Sequence, residues 1–400
     1  MNSALDGIRI LDLSRVLAGP WATQLLGDFG ADVVKVERPG RGDDTRQWGP
    51  PWLGSESAYF LSTNRNKRSV TIDFTNDEGQ KLVRALAAKS DVLVENFRFG
   101  TLQRYNLDAD DLMASNPGLI VCSISAFGQT GSRAAEPGYD AMIQASGGLM
   151  SITGPEDGGP QKVGVAIADI MAGMYAACAI LAALNARERT GRGQRIDVPL
   201  YDSQVAWLAN QSMNYLVGGR VPGRMGTAHP NLVPYQAFAT RDGEMMLAVG
   251  NDRQFSACMA CLGHEELAQD QRFASNAARV ENRDELVTIV GDVLRRESTD
   301  YWLEKLSELG VPAGPINDVA EVLSNDFAAE RGLVRSIRNG AGDEVPLVSN
   351  PVEFSATPAV YARPPPLLGE HTEEVLREWL GYSAETVGAL RKTAAIEAPE

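Results

Sequence analysis

The chain has 400 residues, 44% hydrophobic and 22% charged, the balance of a soluble globular protein; at roughly 150 residues per domain it has room for two or three domains. Its formal charge of −15 argues against nucleic acid or an anionic membrane as a partner, since both favour basic surfaces. An anionic small ligand stays open, because an acidic protein can carry a local basic pocket.

IRILDLS (8–14) reads as a strand, AGPWATQLLGDFGA (18–31) as a helix with Pro20 in its first turn, and DVVKVERP (32–39) as a second strand. Strand–helix–strand is the opening of a parallel α/β unit. The turn SRVLAGPWATQ lacks the G-x-G-x-x-G of a dinucleotide site, and no G-x-x-x-x-G-K-[ST] occurs. A nicotinamide dehydrogenase or P-loop NTPase is therefore unsupported.

Residues 40–58 read as loop. NRNKRSVTIDF (64–74) carries Arg65, Lys67 and Arg68 into a strand, as a solvated turn or as a meeting point for phosphates. EGQKLVRALAAKS (78–90) is an amphipathic helix, and DVLVENF (91–97) and LIVCSISAFG (119–128) are further strands. Ligands of open α/β sheets bind outside the carboxyl ends of such strands.

GYDAMIQASGG opens a helix near 139. VGVAIADIMAGMYAACAILAAL (163–184) then predicts a buried helix over about 170–187, with Asp169 at its entrance. Its length raises a membrane span, but its Ala and Gly content and its internal charge favour a core helix. Asp169 has two readings: a helix N-cap, or a partly desolvated carboxylate used as a nucleophile.

RIDVPLYDSQVAWLANQ gives a strand and a helix starting near Asp202. GGRVPGRMGTAHPNLVP is rich in glycine and proline and reads as a domain boundary. A hairpin with an RDG turn (233–250) and helices at 252–262, 283–297 and 299–309 make a smaller α+β domain, 225–330. The large domain takes 1–215, and 335–400 returns to it, with a helix opening at Glu370–Thr372. Cys122, Cys178, Cys258 and Cys261 make no disulfide framework, and CMAC lies in a helix without a second pair, so no metal site is expected. With no signal-peptide pattern at the start, a cytoplasmic protein is expected.

LDGIRILDLSRVLAGPWATQLLGDFGADVVKVERPGRGDDTR, NRNKRSVTIDF, DVLVENF, TGRGQRIDVPL, GTAHPNLVPYQAF and ARPPPLLGEHT occur in this order from Leu5. Together they resemble the family III CoA-transferases, the group of formyl-CoA transferase, carnitine CoA-transferase and α-methylacyl-CoA racemase. GRGDDTRQWGPP, GGLMSITGPE and GTAHPNLVPYQAF are most similar to its succinate–hydroxymethylglutarate (glutarate) branch. The resemblance implies a Rossmann-like large domain built from both chain ends, a smaller α+β domain, and a homodimer of interlocked rings. It implies transfer of CoA from an acyl-CoA to a carboxylic acid, with acyl-CoA as substrate and no permanently bound cofactor.

The resemblance makes Asp169, in VAIADIMAG, the nucleophile. It places Val16, Arg38, Ile72, Asn96, Phe97 and Arg104 at CoA, with the two guanidinium groups on phosphates and Phe97 beside adenine. Leu17, Tyr139, Asp140 and His229 become neighbours of the active site. The racemase branch has a G-H-D where this chain has Gly138-Tyr139-Asp140, so the general base of a racemase is missing. Formyl-CoA transferase has Gln where this chain has Leu17. A racemase or a non-catalytic CoA-binding protein remains the alternative.

Overall fold

The apolar runs become six strands in a computed structural model that describes residues 3–397: β1 (Arg9–Asp12), β2 (Asp32–Glu37), β3 (Lys67–Thr71), β4 (Val92–Glu95), β5 (Ile120–Ser125) and β6 (Arg195–Pro199). They pair in the order β3-β2-β1-β4-β5-β6, all parallel. The order reverses direction between β1 and β4, which opens a crevice at their carboxyl ends. Strand alternation sends Ile10 and Leu11 to opposite faces, and both are fully buried because helices cover both faces.

On one face α1 (Ala18–Asp28) and α4 (Ile167–Thr190) bury Ile10, Ala22, Val94, Ile120, Ala176 and Ile180, with α3 (Asp140–Ser146) and α5 (Leu200–Ala206) beside them. On the other, α2 (Asp77–Ala87) and the helix Thr372–Leu380 enclose Leu11, Val34, Leu82, Leu93, Leu376 and Trp379. This unit comprises Met1–Leu149, Val163–Met213 and Asp326–Glu400.

The second unit, Met150–Lys162 with Asn214–Asn325, interrupts the 1–215 stretch. Arg224 draws the first segment in by donating to the carbonyls of Pro155 and Gly158. A three-stranded antiparallel sheet of β7 (Tyr235–Ala239), β8 (Glu244–Ala248) and β9 (Ala313–Pro315) packs with helices Asp252–Cys261, Arg283–Leu294 and Thr299–Glu308 around Phe238, Leu247, Phe255 and Trp302. Cys258 is fully buried in this core, a packing role for the CMAC sulfur.

The basic cluster differs from both of its sequence readings. Arg65 pairs with Asp28 at 2.6 Å, Lys67 with Asp12 at 3.2 Å, and Arg68 with Asp32, Glu374 and Glu378 at 2.5, 3.0 and 2.6 Å. All three cations are buried. Arg68 thereby ties the C-terminal helix to β2 and β3. The cluster solvates nothing because β3 is covered on its outer side by residues from the chain end.

α4 starts at Ile167, three residues before the expected 170, and Ala166 holds the N-cap position, so Asp169 lies in the first turn and caps nothing. The helix is also one-sided. Ala168, Ala172, Gly173, Ala176, Ala177 and Ile180 are buried, whereas Met174, Tyr175 and Cys178 are exposed. The helix is long and apolar enough to cross a membrane by length and composition, and its small residues are used here to approach α1.

A Cβ on Gly173 would lie 2.6 Å from the Ala18 carbonyl oxygen, whereas one on Gly388, in the helix Ala384–Lys392, would meet nothing within 4 Å. Gly388→Ala is expected to stabilise the protein by about 0.5–1 kcal/mol, the ordinary helix gain. Gly173→Ala is expected to destabilise it by about 1–3 kcal/mol through overpacking. Equal gains in denaturant melts would show that α1 and α4 are not in the close contact described.

Candidate active site

Three strand ends and two helix starts converge at the crevice. Arg15, Val16 and Leu17 follow β1, Asn96, Phe97 and Arg98 follow β4, and Ser125 ends β5 with Ala126 after it. Gly138 and Tyr139 precede α3, and Asp169 projects from the first turn of α4. These residues line one cavity of about 160 Å³. Gly138 has to be glycine, since a Cβ there would come within 2.6 Å of the Ala126 side chain.

Asp169 is partly buried. Burial first, and then the charge of Asp140, push its carboxyl up to about 7. The capping that the sequence offered to Asp169 is done by Asp140. Its Oδ1 accepts the Ala168 N–H at 2.8 Å, and its Oδ2 accepts from Gln144 Nε2 at 2.8 Å. Gln144 in turn accepts the Val163 N–H at 2.9 Å, so α3 fixes the approach to α4. Tyr139 stands at the mouth, 66% exposed.

Of the residues singled out from the sequence, Val16, Leu17, Asn96, Phe97, Tyr139 and Asp169 share this cavity, with Asp140 behind it. Arg38, Ile72 and Arg104 do not line it. Arg38 is half exposed and reaches Asp44 at 3.7 Å. Arg104 ends the short exposed helix Thr101–Arg104. Ile72 is buried in the core against which Phe74 and Phe97 pack. His229 belongs to the second unit, where its Nδ1 accepts the Asn231 N–H at 3.0 Å and its ring meets Tyr235 at 5.2 Å.

Arg15 and Asp44 line the cavity without having been singled out from the sequence, and an aromatic group packs nearby. Arg15 pairs with Asp44 at 3.1 Å and lays its guanidinium 5.2 Å from the Phe97 ring centre. Phe97 meets Phe74 edge to face at 5.7 Å, and Phe74 meets Tyr105 at 5.5 Å. The Tyr59 phenol is pushed up to about 12 by burial and then by the charges of Asp169, Asp140 and Asp43. Trp48 packs edge-on against Tyr59 at 5.2 Å. Only GRGDDTRQWGPP, already notable as a motif, pointed toward Asp43, Asp44 and Trp48.

Val16 has φ 71°, a left-handed conformation that a β-branched residue avoids and that costs on the order of 1–3 kcal/mol. Among the described residues no cluster of three or more His, Cys, Asp or Glu is placed to hold a metal ion.

Residues 5–372 match the family described as CoA-transferase family III. The chain belongs to this family and is a CoA-transferase. It is 44% identical over 396 residues to the human succinyl-CoA:glutarate CoA-transferase, covering 99% of this chain and 90% of that protein. It is 48% identical over 380 residues to the succinate–glutarate CoA-transferase of Agrobacterium fabrum strain C58, covering 94% of this chain and 95% of that one. A crystal structure of a CAIB/BAIF family protein from Brucella suis superposes with a TM-score of 0.83 at 48% identity, covering 95% of this CoA-transferase and all of that chain. The α/β fold with its parallel sheet and small antiparallel sheets is thus that of solved family members.

The two causes of the Asp169 shift are separable. Asp140→Asn removes the like charge and leaves burial, so the Asp169 carboxyl is expected to titrate below 7 in the variant while staying above the ordinary carboxylate range. Carbon-13 NMR of labelled aspartate checks this. An unchanged midpoint would show that Asp140 does not act on Asp169.

Proposed function

We propose that this CoA-transferase moves CoA from succinyl-CoA to a dicarboxylic acid such as glutarate, with Asp169 as covalent nucleophile. The observation that carries the reading is the placement of Asp169: a partly desolvated carboxylate in the first turn of α4, inside the cavity at the crevice between β1 and β4. The glutarate-directed relatives support the choice of acids.

The chemistry runs in four balanced steps. Ionised Asp169 attacks the thioester carbonyl of the donor, and the C–S bond breaks to give a mixed anhydride and CoA thiolate. The thiolate attacks the aspartyl carbonyl, forming an aspartyl-CoA thioester and freeing succinate. The acceptor carboxylate attacks that thioester, expelling the thiolate and forming a second anhydride. The thiolate then attacks the acceptor's acyl carbonyl, which yields the new acyl-CoA and returns Asp169 as a carboxylate. Splitting the exchange this way keeps the acyl group activated throughout.

In this reading Arg38 and Arg104 hold CoA phosphates, Asn96 and Phe97 line the nucleotide with Phe97 beside the adenine, and Val16 also borders CoA. Leu17 and Tyr139 border the acyl groups. A racemase is disfavoured because Tyr139 stands where that branch has histidine, and no histidine lines the cavity. The two compact units are the two domains of the family, and the chain acts as a homodimer in which the exposed apolar side of α4 (Met174, Tyr175, Cys178) meets the second copy.

Brief reaction with succinyl-CoA followed by hydroxylamine or borohydride is expected to modify the Asp169 peptide. Asp169→Asn is expected to lower transfer by about 10³-fold or more, as loss of a covalent nucleophile does. Because only the ionised carboxylate attacks, turnover is expected to fall as pH drops below about 7, the value to which Asp169 is raised. An adduct on another residue would remove Asp169 from this role. Activity with monocarboxylic acceptors but not glutarate would overturn the choice of acid.

A further inference from the structure

The strained turn at Val16 is gripped through its backbone as well as through the Arg15 side chain. The Val16 N–H lies 3.2 Å from each carboxylate oxygen of Asp43. The Arg15 N–H donates to Asn96 Oδ1 at 2.9 Å, and Asn96 Nδ2 donates back to the Arg15 carbonyl at 2.6 Å. Lys35 Nζ donates to the Ser14 carbonyl at 2.8 Å. Asp43 beyond β2, Asn96 at the exit of β4 and Lys35 inside β2 therefore close on the two consecutive peptide groups that join Ser14, Arg15 and Val16.

Asp43 and Lys35 form an ion pair at 2.9 Å with no solvent exposure of either side chain. Asp43 also caps the one-turn helix Asp44–Gln47, accepting from the Thr45 N–H and hydroxyl at 3.0 and 2.8 Å. Burial alone would raise the Asp43 carboxyl, but the Lys35 ammonium and the Thr45 bonds outweigh it and hold it well below the usual range. Both oxygens are thus available as acceptors at neutral pH. A desolvated ion pair is a poor way to gain fold stability, because apolar side chains of the same volume do as well. Its location beneath a left-handed valine at the pocket wall suits a different purpose. The fit behind the turn is close: a Cβ on Gly19 would lie 2.2 Å from Ser14 Oγ, so the first turn of α1 passes directly against it.

We propose that Asp43, fixed by Lys35, is a positioning residue for acyl transfer: it holds Val16 in the left-handed conformation that sets Leu17 and Ala18 in the wall of the Asp169 cavity. The bonds go to peptide groups, so the device fixes where the wall stands without depending on the side chains at 14–16. The proposal rests on the reading that acyl transfer takes place in this cavity. That reading is tested apart from it, by trapping on Asp169 in the wild-type enzyme.

Asp43→Asn keeps the size of the side chain but puts an NH₂ where an oxygen faced Val16 N–H and Lys35. Released, Val16 relaxes toward negative φ. The kcat for succinyl-CoA-dependent transfer to glutarate is expected to fall by about 100-fold, the cost of a misplacement near 1 Å, with little change in the KM for succinyl-CoA. Adding Val16→Gly is expected to restore most of the kcat, since glycine takes this φ without steric cost. Adding Val16→Ala, which removes the same side chain but keeps the backbone penalty, is expected not to. An unchanged kcat in Asp43→Asn, rescue by Ala equal to rescue by Gly, or no rescue by Gly in a folded protein would each overturn the proposal. If Asp43→Asn does not fold, Lys35→Met/Asp43→Leu, which leaves no buried charge unpaired, carries the same three comparisons.

Discussion

Charge buried around the edges of the parallel sheet is what the rest of this structure depends on. Asp12–Lys67, Lys35–Asp43, Glu37–Arg46, Glu56–Arg46 and Asp28–Arg65 are ion pairs between side chains with almost no solvent contact. Each is costly to desolvate, and removing one partner of such a pair typically costs about 3–5 kcal/mol because the other charge is left stranded. The arrangement is therefore all or nothing. Asp12 shows the coupling: it accepts from Ser14, Thr23 and Lys67 at once, so β1, α1 and β3 share one acceptor. Strands joined in this way have little freedom to shift past one another, and the loops leaving their ends inherit that rigidity.

The cavity draws on this frame and adds a second one. α4 reaches α1 through small residues, and Gly173 permits backbone contact with Ala18. Ala18 and Asp169 line the same cavity, so the helix–helix contact sets one wall relative to the other. The electrostatics of Asp169 follow from its surroundings. A carboxylate in the first turn of a helix is favoured by the helix dipole, yet burial and the neighbouring Asp140 outweigh that and raise its carboxyl. Asp140 acts in two ways: it caps α4 through Ala168 and loads charge onto Asp169.

Not every cation near the carboxyl ends of β1 and β2 is buried. Arg15 and Arg38 both lean on Asp44, and Arg15 also covers the face of Phe97. These cations are partly exposed and weakly held, unlike the buried arginines of the frame. Exposed pairs of this kind contribute little to stability, typically about 0–1 kcal/mol.

The sequence by itself determined the order of strands and helices, the α/β class, the hairpin at Arg241–Gly243, the family, and the candidacy of Asp169. Those features rest on short-range rules: apolar runs, turn residues and local motifs that hold whatever the rest of the chain does. Only the tertiary structure decided what the charges do. Arg65, Lys67 and Arg68 read as a surface cluster because nothing local announces that Asp28, Asp12 and Glu378 will lie against them. Asp43 reaches Val16 across 27 residues, and Asn96 reaches Arg15 across 81, because β1 is flanked by β2 and β4. Asp140 rather than Asp169 caps α4 because α3 packs at its start, and α4 is half exposed because α1, α3, α5 and the sheet cover only one side of it. Ion pairing, capping across elements and burial depend on which elements become neighbours, and the order of strands within the sheet, unlike their order along the chain, is not written in any local window.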